Sequence, residues 1–61
     1  MKNNIKQLRK SRGLRQEDLA ARSGVSRQTI IAIEKYNPTL ELAMKLARLL
    51  DTTVEELFIL Q

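Results

Sequence analysis

Two adjacent side chains, Arg27 and Gln28, carry the most directional hydrogen-bonding chemistry in this 61-residue chain. An arginine fork donates two parallel hydrogen bonds, and a glutamine amide donates one and accepts one. Those patterns match the major-groove edges of guanine and adenine. Ile31 follows, an isoleucine among polar neighbours, then Ala32 and Lys35. In a helix these residues lie on or beside the face opposite Ile30 and Ile33. An isoleucine on the solvent side of a polar helix gains nothing in folding, but it can touch a thymine methyl. Catalytic chemistry finds no such grouping. Cys and His are both absent, which removes disulfides, thiol chemistry, the usual zinc sites and the commonest acid–base side chain. No clustered carboxylates stand in for them, so the sequence predicts no enzyme, no metal and no cofactor.

The element that must present Arg27 and Gln28 is the stretch from Gln16 to Lys35. Its apolar positions are Leu19, Val25, Ile30 and Ile33, with small Ala20 where two helices would cross and Gly24 at the bend. Two short helices joined at about 90–120° touch near the middle of the first, where a bulky residue would push them apart. Gly24 takes the positive φ that a sharp helix exit needs. Ser26 is a good N-cap for the second helix, predicted to run to about Ile33 or Glu34. The first begins at Gln16 with Glu17 and Asp18 in its opening turn, where carboxylates favour the positive helix end. Arg15 stands where a small capping residue is expected. With the Gln16 amide and nearby backbone N–H groups, it has the makings of a phosphate clamp.

Around this stretch the rest of the chain reads as further helices and no strands. A first helix is expected from Asn4 to Arg12, capped by Asn3 or Asn4, with Ile5 and Leu8 inward and Gly13 closing it; Lys6, Lys10 and Arg12 then face solvent or phosphate. After Tyr36-Asn37-Pro38, Thr39 caps a fourth helix from Leu40 to about Leu50. Its apolar positions, Leu40, Ala43, Met44, Leu46, Ala47 and Leu50 with Leu42 and Leu49 at the edge, cover an arc of roughly 220°, against ~100° for a one-sided surface helix. The Leu42 and Leu49 edge therefore wants a second cover, a fifth helix or another subunit. Thr53 and Glu56 have capping-box spacing for that fifth helix, from Val54 to about Ile59. The apolar tail Phe58-Ile59-Leu60 is expected partly in a dimer interface with Leu42 and Leu49.

Length and charge bound the possibilities. Sixty-one residues make a single domain over residues 1–61, near the lower size limit for one core without staples, so oligomerisation is a natural supplement. No apolar run approaches the ~18 residues of a membrane span, and no signal-peptide pattern precedes the domain, so a cytoplasmic protein with no membrane partner is expected. The net charge of +4 is unevenly spread: residues 1–35 hold nine Lys or Arg against three Asp or Glu, while residues 36–61 hold two against four. The basic half contains the bihelical stretch, and a polyanion partner suits it.

Taken together, Leu8-Arg9, Gly13-Leu14, Gln16-Glu17-Asp18-Leu19-Ala20, Gly24-Val25-Ser26-Arg27-Gln28-Thr29-Ile30, Ile33-Glu34 and Tyr36-Asn37-Pro38-Thr39-Leu40 resemble the Cro and phage-repressor type of helix-turn-helix regulators, the XRE family. The likeness spans essentially the whole chain. It implies an all-α, compact five-helix, lambda-repressor-like DNA-binding domain with the helix-turn-helix at helices 2 and 3. By the same resemblance Arg9 and Glu34 form a partly buried structural ion pair, Gln16, Lys35 and Asn37 meet phosphates, and Ser26, Arg27, Gln28, Ile31 and Ala32 meet bases. Relatives commonly place an Asn-Gly or similar pair after the glutamate; here Glu34 runs directly into Lys35, which shortens the connection between helices 3 and 4. The implied function is a sequence-specific regulator of transcription, most simply a repressor, binding a pseudo-palindromic double-stranded DNA operator as a homodimer. An antitoxin or adaptor that uses the same fold to hold another protein is the alternative.

Overall fold

Two glycines in the left-handed region, Gly13 (φ 69°) and Gly24 (φ 74°), end the first two helices, and hydroxyl caps open the last three. The computed structural model describes the backbone of residues 2–59 and the side chains of residues 3–58. In chain order the elements are β1 (Lys2–Asn3), α1 (Ile5–Ser11), α2 (Gln16–Ser23), α3 (Arg27–Lys35), α4 (Leu40–Leu49), α5 (Val54–Leu57) and β2 (Phe58–Ile59). The caps are those of the sequence: Ser26 Oγ accepts from Thr29 N at 3.1 Å, Thr39 Oγ1 from Leu42 N at 3.3 Å and Thr53 Oγ1 from Glu56 N at 3.2 Å. Each satisfies an N–H that the helix itself leaves without an acceptor. At α2 the cap works differently. Arginine has no acceptor atom, so only the reciprocal bond exists, from Arg15 N to the Asp18 carboxylate at 2.8 Å.

The core lies where α1, α2, α3, α4 and α5 meet. Ile5, Leu19, Ile30, Ala43, Leu46, Leu50 and Leu57 are fully buried, with Ala20, Ile33 and Ala47 nearly so. Ala20 sits in the α2–α3 pairing, and Val25 packs half-buried against the same cluster. Burial of these side chains, at about 25 cal/mol per Å² of apolar surface, is the main force holding five short helices together.

The structure corrects three expectations. Helix α5 stops at Leu57 rather than Ile59, because Phe58 and Ile59 pair in antiparallel register with Asn3 and Lys2. That partner lies at the far end of the sequence and leaves no local pattern. On α4 the apolar arc has two edges. The fold covers the Leu42–Leu49 edge, both residues half-buried against the core, and leaves Leu40 and Met44 open at 69% and 49% exposure. Arg12 is exposed as expected, and it also reaches back to the fold: its Nε donates to Leu50 O (3.0 Å) and its Nη2 to Asp51 O (3.3 Å), closing the carbonyl end of α4. Finally α3 continues through Lys35, with Tyr36 as its C-cap. Of the residues expected in a dimer interface, Phe58 is half-buried against the core, while Leu60 and the Ile59 side chain lie outside the described residues.

Candidate nucleic-acid interface

Helix α3 is fixed from beneath and open above. Ile30 and Ile33 anchor it in the core, while Arg27, Gln28, Ile31, Ala32 and Lys35 are exposed on its outer side, Ile31 at 43%. Nine residues at 1.5 Å rise give a rod of roughly 14 Å, short enough to lie across a duplex groove. The Ser26 hydroxyl is occupied by capping and by a 2.9 Å contact with Thr29 Oγ1, so its first task is to rigidify the turn that carries Arg27.

Beneath that surface one polar network joins three helices. Arg9 Nε donates to Glu34 Oε2 at 2.7 Å, with side chains only 8% and 6% exposed, and Arg9 Nη1 donates to Leu14 O at 2.8 Å. Gln16 Nε2 donates to the other carboxylate oxygen, Glu34 Oε1, at 3.1 Å. Glu34 therefore ties α3 to α1 and to the start of α2. A carboxamide carries two N–H bonds, so the bond to Glu34 orients the Gln16 amide in a set direction.

Arg15, Gln16 and Arg27 come together along an open cleft of about 330 Å³ that Arg9, Leu14 and Glu17 also line. Arg15 is less available there than its sequence position suggests. Its Nη1 lies 2.9 Å from Glu17 and its Nε 3.1 Å from Asp18. The Arg15 guanidinium, and then its backbone N–H, hold the Asp18 carboxyl below its ordinary value, and the same contact raises the Arg15 guanidinium. With the arginine side chain 74% exposed, the pair is screened by water. Among the described residues, no carboxylate forms an ion pair within 4 Å of Arg22, Arg27 or Lys35, although Arg22 still acts on Asp18 at longer range.

Lys35, next in the chain to Glu34, which Arg9 and Gln16 of the cleft hold, ends α3, and Asn37 lies just beyond it. Lys35 Nζ sits 5.6 Å from the centroid of the Tyr36 ring, itself 66% exposed. Sequence reasoning gave Tyr36 no role of its own and read Asn3 only as a helix cap. Asn3 donates from Nδ2 to Ile33 O at 2.7 Å, and its Oδ1 accepts from Ile5 N at 3.2 Å. The doubled Asn3-Asn4, where one cap suffices, was the available signal.

Comparison with known proteins agrees with this geometry. The helix-turn-helix family model matches residues 5–57. An uncharacterized HTH-type transcriptional regulator of Methanocaldococcus jannaschii is 54% identical over 61 residues, covering 97% of this chain and 92% of that one. A counterpart in Methanothermobacter thermautotrophicus is 52% identical over 63 residues (98% and 91%), and YgzD of Bacillus subtilis is 44% identical over 63 (100% and 96%). Among solved structures, a hypothetical transcription factor, NHTF, from Neisseria superposes with a TM-score of 0.79 at 29% identity. The match covers 87% of this chain and 62% of that one, so this chain spans less than two thirds of that protein. No described helix is long and apolar enough to cross a membrane. A capped, outward-facing α3 on a buried α2–α3 corner, matched across nearly the whole chain, places it in a class that binds DNA rather than catalysing reactions: the chain belongs to the helix-turn-helix family of DNA-binding transcriptional regulators, of the XRE type.

Proposed function

We propose that this protein is a sequence-specific regulator, most simply a cytoplasmic repressor, that occupies a pseudo-palindromic operator as a homodimer with α3 in the major groove. The observation that carries the reading is the two-sidedness of α3: Ile30 and Ile33 are locked in the core while Arg27, Gln28, Ile31 and Ala32 point outward. Arg27 and Gln28 supply direct readout, each well-made bidentate pair contributing ~1–3 kcal/mol of discrimination. Ser26, Ile31 and Ala32 complete the base-facing surface. Arg15, Gln16, Lys35 and Asn37 hold phosphates and make affinity fall with salt.

A dimer suits the dimensions. The domain measures 29 × 19 × 18 Å, so two copies side by side can set their α3 helices the ~34 Å apart that successive major grooves require. The remaining open flanks of Leu42, Leu49 and Phe58, with the exposed Leu40–Met44 edge, are the apolar surface for a second copy. That same edge favours the second reading, an antitoxin or adaptor that holds a different protein.

The test is selection from a random duplex pool at two salt concentrations. A two-fold symmetric site with half-sites about one turn apart, lost in the folded Arg27→Ala/Gln28→Ala variant, is the expected result. Recovery of unspecific, salt-labile duplex alone, indifferent to both substitutions, overturns the readout and favours the adaptor.

A further inference from the structure

The C-terminal end of α3 is closed unlike the ends of α1 and α2. Those two helices run into glycines with positive φ, Gly13 and Gly24, whose conformation folds the chain back and satisfies the last carbonyls locally. Helix α3 has no such residue. Glu34 passes directly to Lys35-Tyr36-Asn37-Pro38, and the C-cap, Tyr36, leaves the helix at φ −109° and ψ −97°. Tyr36 N still reaches Ala32 O at 2.8 Å. The next carbonyl, Ile33 O, takes its hydrogen bond from outside, from Asn3 Nδ2 at 2.7 Å across 30 positions of sequence.

The same Asn3 nitrogen lies 3.4 Å from both Tyr36 O and Asn37 Oδ1, so one amide touches the last turn of α3 and the loop beyond it. Its other end is fixed too. Asn3 Oδ1 accepts from Ile5 N at 3.2 Å, and the Asn3 backbone pairs with Phe58 in the β ladder. An amide held at both ends by different elements is a rigid strut.

We infer that Asn3 is a positioning residue for DNA binding: by closing α3 from outside, it sets where Lys35 and Asn37 meet the phosphate backbone. The inference rests on the DNA-binding reading above and extends it to a residue that touches no DNA. It also accounts for how a connection without a closing glycine can hold Lys35 and Asn37 in a fixed place. A phosphate contact depends on the direction of the last helical turn; Arg9 and Gln16 hold that turn by the Glu34 side chain, and Asn3 holds its backbone carbonyl and the loop beyond.

The discriminating variant is Asn3→Ser, whose hydroxyl can still accept from Ile5 N but is too short to reach Ile33 O. Binding to a duplex of about two helical turns is measured against salt for wild type, Asn3→Ser, Lys35→Ala and the double variant, with the folded fraction of each fixed by circular dichroism. The expected result is that Asn3→Ser loses affinity comparably to Lys35→Ala and lowers the slope of log K against log salt by about 0.9, the share of one phosphate. In the Lys35→Ala background its further effect is smaller than in wild type, what remains being the share of Asn37. An unchanged slope, full additivity of the two substitutions, or a Lys35→Ala variant that binds like wild type overturns the inference. Because an arbitrary duplex reports phosphate contacts as well as a selected operator does, these outcomes are distinct from failure to select a site. A wild type that binds no duplex at low salt overturns both readings.

Discussion

Replacing Glu34 by alanine tests the architecture most severely. The substitution leaves the Arg9 guanidinium, in a side chain 8% exposed, with Leu14 O as its remaining acceptor and strips Gln16 of its partner as well. Removing one member of a buried pair costs about 3–5 kcal/mol, because the surviving charge stays desolvated and uncompensated. A domain of 61 residues has roughly 3–9 kcal/mol of total stability at the usual share per residue. Glu34→Ala therefore stands at the edge of unfolding at room temperature. Urea denaturation followed by circular dichroism reads this as a fall in the midpoint at constant slope, since the surface exposed on unfolding is nearly unchanged. Replacing both partners with apolar residues, Arg9→Met with Glu34→Leu, removes the stranded charge and recovers most of the loss. A Glu34→Ala variant within ~1 kcal/mol of wild type, the range of a screened surface pair, refutes the claim that this network joins the helices. So does a double variant no better than the single one.

Two further outcomes are expected elsewhere. Asp51 holds φ at 54° without being glycine. Its contacts to Arg48 O and from Arg12 use only backbone atoms, so Asp51→Gly relieves strain at no loss of contact and stabilises by about 0.5–1 kcal/mol, seen as a higher melting temperature; a lower one contradicts the strain. At α2, the Asp18 carboxyl sits below its ordinary value of 3.8 through its bonds to Arg15. A depressed acid contributes stability that is present above its unfolded value and lost as pH falls through the folded one. Carbon-detected titration should show the Asp18 midpoint rising toward 3.8 in Arg15→Ala; an unmoved midpoint removes Arg15 as the cause.

What the sequence made legible was whatever depends on neighbours in the chain. Ser26, Thr39 and Thr53 mark helix starts because a cap bonds three residues ahead, and Gly24 marks the α2–α3 bend through its own φ. The outward set on α3 followed from the inward pair Ile30 and Ile33 and a fixed period. What stayed hidden depends on distant chain. Periodicity shows that α4 is apolar over a wide arc but not which edge the fold will cover, and it covers Leu42 and Leu49 rather than Leu40 and Met44. Arg12 is exposed, as a charge should be, but its bonds to the carbonyls of Leu50 and Asp51 could not be read from its neighbours. Arg15 carries a formal charge that Glu17 and Asp18 largely answer.

The short ladder between Lys2–Asn3 and Phe58–Ile59 turns an open chain into something close to a ring. Strands in a ladder lie ~4.8 Å apart, so the backbones of Lys2 and Ile59 lie side by side. Tension applied between them does not shear the ladder; it opens it like a zipper, one hydrogen bond at a time, the weaker loading direction for any hairpin-like pair. A load carried by both ends, whether from fused domains or from tethering to a surface, is thus delivered to this seam before it reaches the helical core.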